Sequence, residues 1–270
     1  MKKLFAAFFL FFLLTANLTI ADITKSSDEE LKITIIYDNY SAVDGLKSEW
    51  GFSCLIEGKE KTILFDTGGD PDVFMHNLNK LNIDPKKVDV IVISHEHWDH
   101  IGGLTSFLER NPDVTIYLLS SYSDSFIDKA KALGSEVVFA DQSKEICKDI
   151  YTTGMMGTSM KEQSLLINND IGTIIISGCS HQGIVNILHR AKELINNKIY
   201  LSLGGYHLLR QEKSQVASIL NEFEKLQVEK CGATHCTGDE QIKMFKEAFA
   251  DNYVEVGSGK VLIFTKEGLK

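Results

Sequence analysis

Val88-Asp89-Val90-Ile91-Val92-Ile93-Ser94 runs directly into His95-Glu96-His97-Trp98-Asp99-His100. The first seven residues read as a buried strand, and three imidazoles with a carboxylate follow at its end. A strand end is rigid, and the turn after it can aim several side chains into one space. Side chains at i and i+2 share a face of an extended chain, so His95 and His97 can grip one ion together. Asp99 and His100 follow as the chain turns and suit a second ion beside the first. Imidazole and carboxylate are ligands that zinc accepts. The plain alternative, a polar turn opening a helix, leaves three close histidines without a metal or a proton to handle.

Working outward, residues 31–37, 51–56 and 61–65 read as strands, the last two joined as a hairpin. Asp70-Pro71 opens a helix whose inward face carries Phe74, Leu78 and Leu81. Past Gly102-Gly103, the expected helices are 104–110, 124–133, 184–195, 215–226 and 241–249, and the expected strands 114–119, 136–140, 164–167, 173–177, 198–203 and 261–264. Residues 39–50 and 141–160 read as loops. Two β-rich halves with helices outside imply a layered α/β sandwich.

Of the remaining histidines, His76 and His189 lie on expected helices and read as surface or satisfied residues. The other three end apolar strands in Gly-, Cys- or Ser-rich turns. They are Gly178-Cys179-Ser180-His181, Gly204-Gly205-Tyr206-His207 and His235-Cys236-Thr237-Gly238. Glycines there let backbone crowd close to a bound ion. A strand ending in histidine, repeated four times, is poorly explained by core packing.

The chain of 270 residues has three prolines and no Gly/Ser tract, which favours one domain, 22–270. Residues 1–21 are set apart. Met1-Lys2-Lys3, the apolar run 4–14 and small Thr19 and Ala21 before Asp22 have the layout of a secretory signal peptide. An uncleaved membrane anchor is the alternative. The expectation is an exported protein, periplasmic or extracellular, with no stable membrane partner unless that segment is retained. Cleavage removes Lys2 and Lys3 and no acid, taking the net charge from −9 to −11. An acidic surface disfavours nucleic acid as a partner and leaves a small-molecule substrate. Five irregularly spaced cysteines do not form a disulfide scaffold, and a Cys231–Cys236 bridge is not expected.

His95-x-His97-x-Asp99-His100, with Asp66-Thr67-Gly68 upstream and His181 and His235 downstream, resembles the metallo-β-lactamase superfamily. The resemblance implies an αββα four-layer sandwich with a dinuclear metal site on one edge. It implies that His95, His97 and His181 hold one ion and Asp99, His100 and His235 the other. It also implies that Asp66 stands behind them, orienting a ligand imidazole, a sensible role because a ligating histidine needs its other N–H anchored. Ile36-Tyr37-Asp38-Asn39, Gly178-Cys179-Ser180-His181-Gln182-Gly183-Ile184 and Gly204-Gly205-Tyr206-His207-Leu208 are further similar to the 7,8-dihydropterin-6-methyl-4-(β-ribofuranosyl)aminobenzene-5′-phosphate synthase-like subgroup.

One departure stands out. Most of the superfamily carries a bridging Asp, or a Cys, on the strand between the two late histidines. Here no carboxylate or cysteine lies between Glu193 and Glu212. Three outcomes follow: His207 supplies a ligand, the second ion is held weakly, or one ion binds. The expected cofactor is zinc, one or two ions, with manganese or iron as other divalent choices. The expected function is a metal-dependent hydrolase or related transferase in which Asp99 also handles the nucleophile's proton. Its alternative is an exported, non-catalytic metal-binding protein with a degenerate site. Tyr206 reads as a substrate contact, and Glu96 and Trp98 as supports.

Overall fold

The computed structural model describes residues 30–133 and 136–270. The signal-peptide reading of residues 1–21 lies outside them. Among the described residues the strands form two sheets. The first half builds β1 (Leu31–Tyr37), β2 (Ser53–Glu57), β3 (Ile63–Phe65), α1 (Pro71–Lys80), β4 (Val90–Val92), α2 (Trp98–Ile101), α3 (Leu104–Leu108), β5 (Thr115–Leu118), α4 (Asp124–Ala132) and β6 (Glu136–Phe139). The second builds β7 (Lys144–Cys147), β8 (Ile150–Thr152), β9 (Leu165–Asn169), β10 (Gly172–Ser177), α5 (Ile184–Leu194), β11 (Ile199–Gly205), α6 (Lys213–Lys225), β12 (Lys230–Thr234), α7 (Asp239–Phe249), β13 (Val261–Thr265) and β14 (Gly268–Leu269). The eight-stranded sheet has the order β14-β13-β1-β2-β3-β4-β5-β6, and the six-stranded sheet β12-β11-β10-β9-β8-β7.

Period-two alternation inside continuous apolar runs makes the four layers. Ile63, Phe65, Val90 and Val92 face Leu165, Ile167, Ile174, Ile176 and Leu203 between the sheets. Their neighbours Leu64 and Ile91 point the other way, onto Phe74, Leu78 and Phe107 of α1 and α3. On the far side Leu166 and Ile175 meet Ile187, Val216, Phe223 and Phe245 of α5, α6 and α7. A strand buried on both faces has no polar side, which is why these runs read as unbroken hydrophobes. The αββα sandwich is the architecture implied by the sequence.

Two expectations change. The strand expected over 88–94 pairs only from Val90 to Val92, because the Ser94 amide leaves the ladder for Asp66 Oδ1 at 2.7 Å. The expected loop 141–160 contains β7 and β8, which pair antiparallel around Lys148 and Asp149. At four and three residues, they are too short to show an alternation.

Strands β3 and β4 run parallel, as do β10, β11 and β12. Their C-terminal ends therefore open at one edge of the sandwich, where ligands of α/β sheets characteristically bind. Within three residues of those ends lie Asp66 after β3, His95 after β4, Cys179 after β10, His207 after β11 and His235 after β12.

Candidate metal centre

Four of the five strand exits turn sharply. Asp66, Ser180, His207 and His235 take left-handed backbone angles, with φ of 56°, 63°, 54° and 51°. Such conformations cost a non-glycine residue about 1–3 kcal/mol each and concentrate at functional sites. Here the turn swings each side chain back over the sheet edge. The rings meet as a result. His95 lies 4.6 Å from His97, 4.2 Å from His100 and 4.6 Å from His181, centroid to centroid, and His100 lies 5.1 Å from His235.

The hydrogen bonds fix which nitrogen of each ring stays free. His100 gives its Nδ1–H to Asp66 Oδ2 at 2.7 Å. His181 gives its own to Glu162 Oε2 at 2.9 Å, and His235 to Asn39 Oδ1 at 2.9 Å. Ser94 Oγ donates to Asp66 Oδ2 and so accepts from His95 Nδ1 at 2.9 Å. In all four rings the Nε2 lone pair is left for something else. His95 Nε2 and His97 Nδ1 stand 3.1 Å apart, close to the ~3.3 Å expected of two nitrogens on one tetrahedral ion with ~2.0–2.1 Å bonds. His235 Nε2 is buried, lies 3.3 Å from Asp99 Oδ2 and makes no hydrogen bond. A buried nitrogen without a partner costs stability unless a ligand takes it, and a metal ion fits that need.

Electrostatics point the same way. Burial and the neighbouring imidazoles hold His95 well below the usual histidine range, and His100 is lowered to about 3 by burial and by His235. His97 is lowered by burial and by His181. These rings stay neutral at physiological pH, the form that ligates. Burial pushes Asp99 up, but the facing His235 and His100 outweigh it and the carboxyl ends low. Complete burial pushes Asp66 up, against the hydrogen bonds from the Ser94 amide and hydroxyl.

Asp99, His100 and His235 therefore converge on one point with Cys179, and His95 and His181 on a neighbouring point with the same cysteine. His207 falls in neither of these groups but in a third that shares the same cysteine. It is exposed, its ring packs 4.4 Å from His181, and its donor neighbours are Cys179 and Cys236. Cys236 contact pushes His207 up against its burial. Gly205, at the end of β11, could not carry a bridging side chain. A Cβ there meets Gly178 O at 2.4 Å and Cys236 Sγ at 2.7 Å.

Two anchors escaped the sequence reading. Glu162, fully buried, accepts the amides of Cys179, Ser180 and His181, each at 2.9 Å, besides the His181 ring. Burial pushes its carboxyl up, but His181 and His95 outweigh that and hold it low. It stands beside β9, and nothing local marks it as a partner of His181. Asn39 binds the His235 ring through Oδ1 and the His235 carbonyl through Nδ2 at 3.2 Å. It lay within a motif already singled out, two residues past a strand.

Tyr206 is not at the mouth of the site. It is 1% exposed, donates to Ser202 O at 2.9 Å and packs in the helical layer on Phe223 and Phe245. Trp50 instead lies over His235 at 5.1 Å, and Trp98 is 61% exposed. Glu96 accepts the Ser123 amide at 2.5 Å and so holds the start of α4.

Residues 51–131 match the family model described as the metallo-beta-lactamase superfamily. The chain is 28% identical to the 7,8-dihydropterin-6-methyl-4-(beta-D-ribofuranosyl)-aminobenzene-5'-phosphate synthase of Methanocaldococcus jannaschii, across 87% of this chain and 97% of that protein. The crystal structure of Tm1679, a metal-dependent hydrolase of the beta-lactamase superfamily, aligns with a TM-score of 0.74 at 29% identity. That alignment covers 87% of this chain and 99% of the other. YhfI from Bacillus subtilis, a metallo-beta-lactamase fold protein, shares the fold at 15% identity, with a TM-score of 0.64 over 87% of this chain and 99% of its own.

Proposed function

Because the chain is a metallo-β-lactamase-fold protein that matches the superfamily through its histidine motif, we propose that it is a metal-dependent hydrolase, or a transferase using the same centre. The metal is zinc in this reading, and the substrate is a small molecule. The observation that carries it is the buried Nε2 of His235, which makes no hydrogen bond, stands 3.3 Å from Asp99 Oδ2 and lies in one cluster with three more imidazoles whose Nδ1 atoms are anchored. His95, His97 and His181 would hold one ion, and Asp99, His100 and His235 a second. Ions held there acidify bound water toward a pKa of ~7 and polarise the electrophile.

The chain's own residues supply the rest. Asp66, Glu162, Ser94 and Asn39 fix four rings in the ligating tautomer, so the site needs little reorganisation when loaded. Asp99, held ionised, can accept a proton by hydrogen bond at the reacting centre. Trp50, over His235, offers a flat wall against which a substrate can be oriented. Similarity to a synthase named for a 5'-phosphate product and to a metal-dependent hydrolase supports ester, lactone, amide or phosphoryl centres as the class to examine.

Elemental analysis of purified protein, followed by a panel of esters, lactones and phosphodiesters before and after chelation, tests the reading. Metal uptake with chelator-sensitive turnover is expected. Protein that takes up no divalent metal overturns it. The basic-then-apolar N-terminus supports export of the chain. N-terminal sequencing of exported material should begin near Asp22, and material starting at Met1 would refute cleavage.

A further inference from the structure

Cys179 is the residue common to the two ligand groups. Its sulfur lies within 4.8 Å of the donor atoms of His95 and His181, and within the same limit of those of Asp99, His100 and His235. It stands 3.2 Å from His100 Nε2, a nitrogen already freed by the Asp66 hydrogen bond. A sulfur and a nitrogen on one tetrahedral zinc stand roughly 3.6 Å apart, given bonds of ~2.3 and ~2.0–2.1 Å. The side chain is 3% exposed, forms no disulfide and is held by its own amide, which donates to Glu162. From the metal-centre reading above, we infer that the Cys179 thiolate is the ligand shared by the two ions, bridging the His95/His97/His181 group and the Asp99/His100/His235 group.

The chemistry balances without a co-reactant. The thiol gives its proton to solvent as the metal–sulfur bonds form, with no change of oxidation state. Two divalent cations facing neutral imidazoles and one carboxylate carry excess positive charge, which a bridging anion reduces. Gly205 offers no room for a side chain at the end of β11, whereas Cys179 at the β10 exit places a sulfur beside both groups. A thiolate also biases the pair toward zinc or iron and away from manganese or magnesium, which prefer oxygen. Cys236, grouped with His207 and Cys179 but with neither histidine set, is a neighbour of the bridge and not the bridge.

Cobalt(II) reconstitution of the full chain tests this. Wild-type protein should take up two cobalt ions and show near-ultraviolet thiolate-to-cobalt charge-transfer absorption. Cys179→Ser should lose that band, with the weaker ion's affinity lowered ~10–100-fold, a loss of the size known for disrupted metal shells. Cys179→Asp should keep two ions without the band, which separates a bridging role from a folding defect. Cys236→Ser should retain the band. A band that survives in Cys179→Ser and vanishes in Cys236→Ser overturns the assignment. So does wild-type protein holding two ions with no band, while the metal reading stands. Protein that takes up no cobalt overturns both.

Discussion

Glu162 and His181 are locked together twice: one carboxylate oxygen lies 2.9 Å from the imidazole Nδ1 and 2.9 Å from the same residue's amide nitrogen. The other oxygen takes the amides of Cys179 and Ser180. One buried side chain thus sets both the loop and the ring that it presents.

Replacing that carboxylate should loosen the centre without emptying it. Glu162→Gln keeps an acceptor for the ring but puts an N–H against amide donors. Affinity of the His95/His97/His181 position is expected to fall ~10–100-fold. Metal titration monitored by calorimetry measures it, and an unchanged isotherm would show that Glu162 only holds the loop.

His97→Ala removes one of two nitrogens that stand 3.1 Å apart. That position should lose its ion on purification. Elemental analysis reports the outcome, and full occupancy in the variant argues against ligation by His97.

Asp38 supplies a pH signature separate from the imidazoles. Complete burial pushes its carboxyl up to about 7, against the hydrogen bond from Thr234. In the unfolded chain the group ionises near 4, so between about 4 and 7 the native state binds more protons. Stability present below pH ~4 is therefore lost as pH rises through 7, on the order of 4 kcal/mol at ~1.4 kcal/mol per unit. Asp38→Asn should gain on wild type across that window and run parallel above it. Urea melts of chelated protein at several pH values decide, and parallel curves throughout would remove Asp38 as the cause.

The helical face behind the six-stranded sheet should behave as pure packing. Phe223 is fully buried, with its ring 5.8 Å from Tyr206 and 5.4 Å from Phe245. Phe223→Ala should cost about 3–5 kcal/mol of stability, with metal stoichiometry unchanged. A variant melting within a degree of wild type would mean that the layer repacks.

What could be read in the sequence was whatever is local. His95 and His97 announce themselves because an apolar strand and an i, i+2 spacing are adjacent in the chain. The four layers were legible because burial on both faces leaves unbroken runs such as Thr173 to Ile176. Long-range pairing was hidden. Ser94 leaves its strand for Asp66, 28 residues away, and Glu162 finds His181 only once β9 and β10 pair. Cys179 drew no reading of its own within its Gly-, Cys- and Ser-rich turn, since nothing before folding sets it beside two groups of histidines. Tyr206 was misread for the converse reason, because nothing local shows that the residue just past β11 packs into the helical layer on Phe223 and Phe245.

The two sheets contribute unequally to the edge at which they meet: His95, His97 and His100 come from the eight-stranded sheet, and His181 and His235 from the six-stranded one. An ion bound there would act as a rivet through the seam. Its binding energy would become mutual adhesion of the halves, about 4 kcal/mol when free metal exceeds the dissociation constant a thousandfold. The rivet is also late in folding, because a set of donors reaching from His95 to His235 exists only after both halves have docked. A nascent or unfolded chain offers metal only the short His95-to-His100 stretch, so the finished centre certifies that the sandwich has closed.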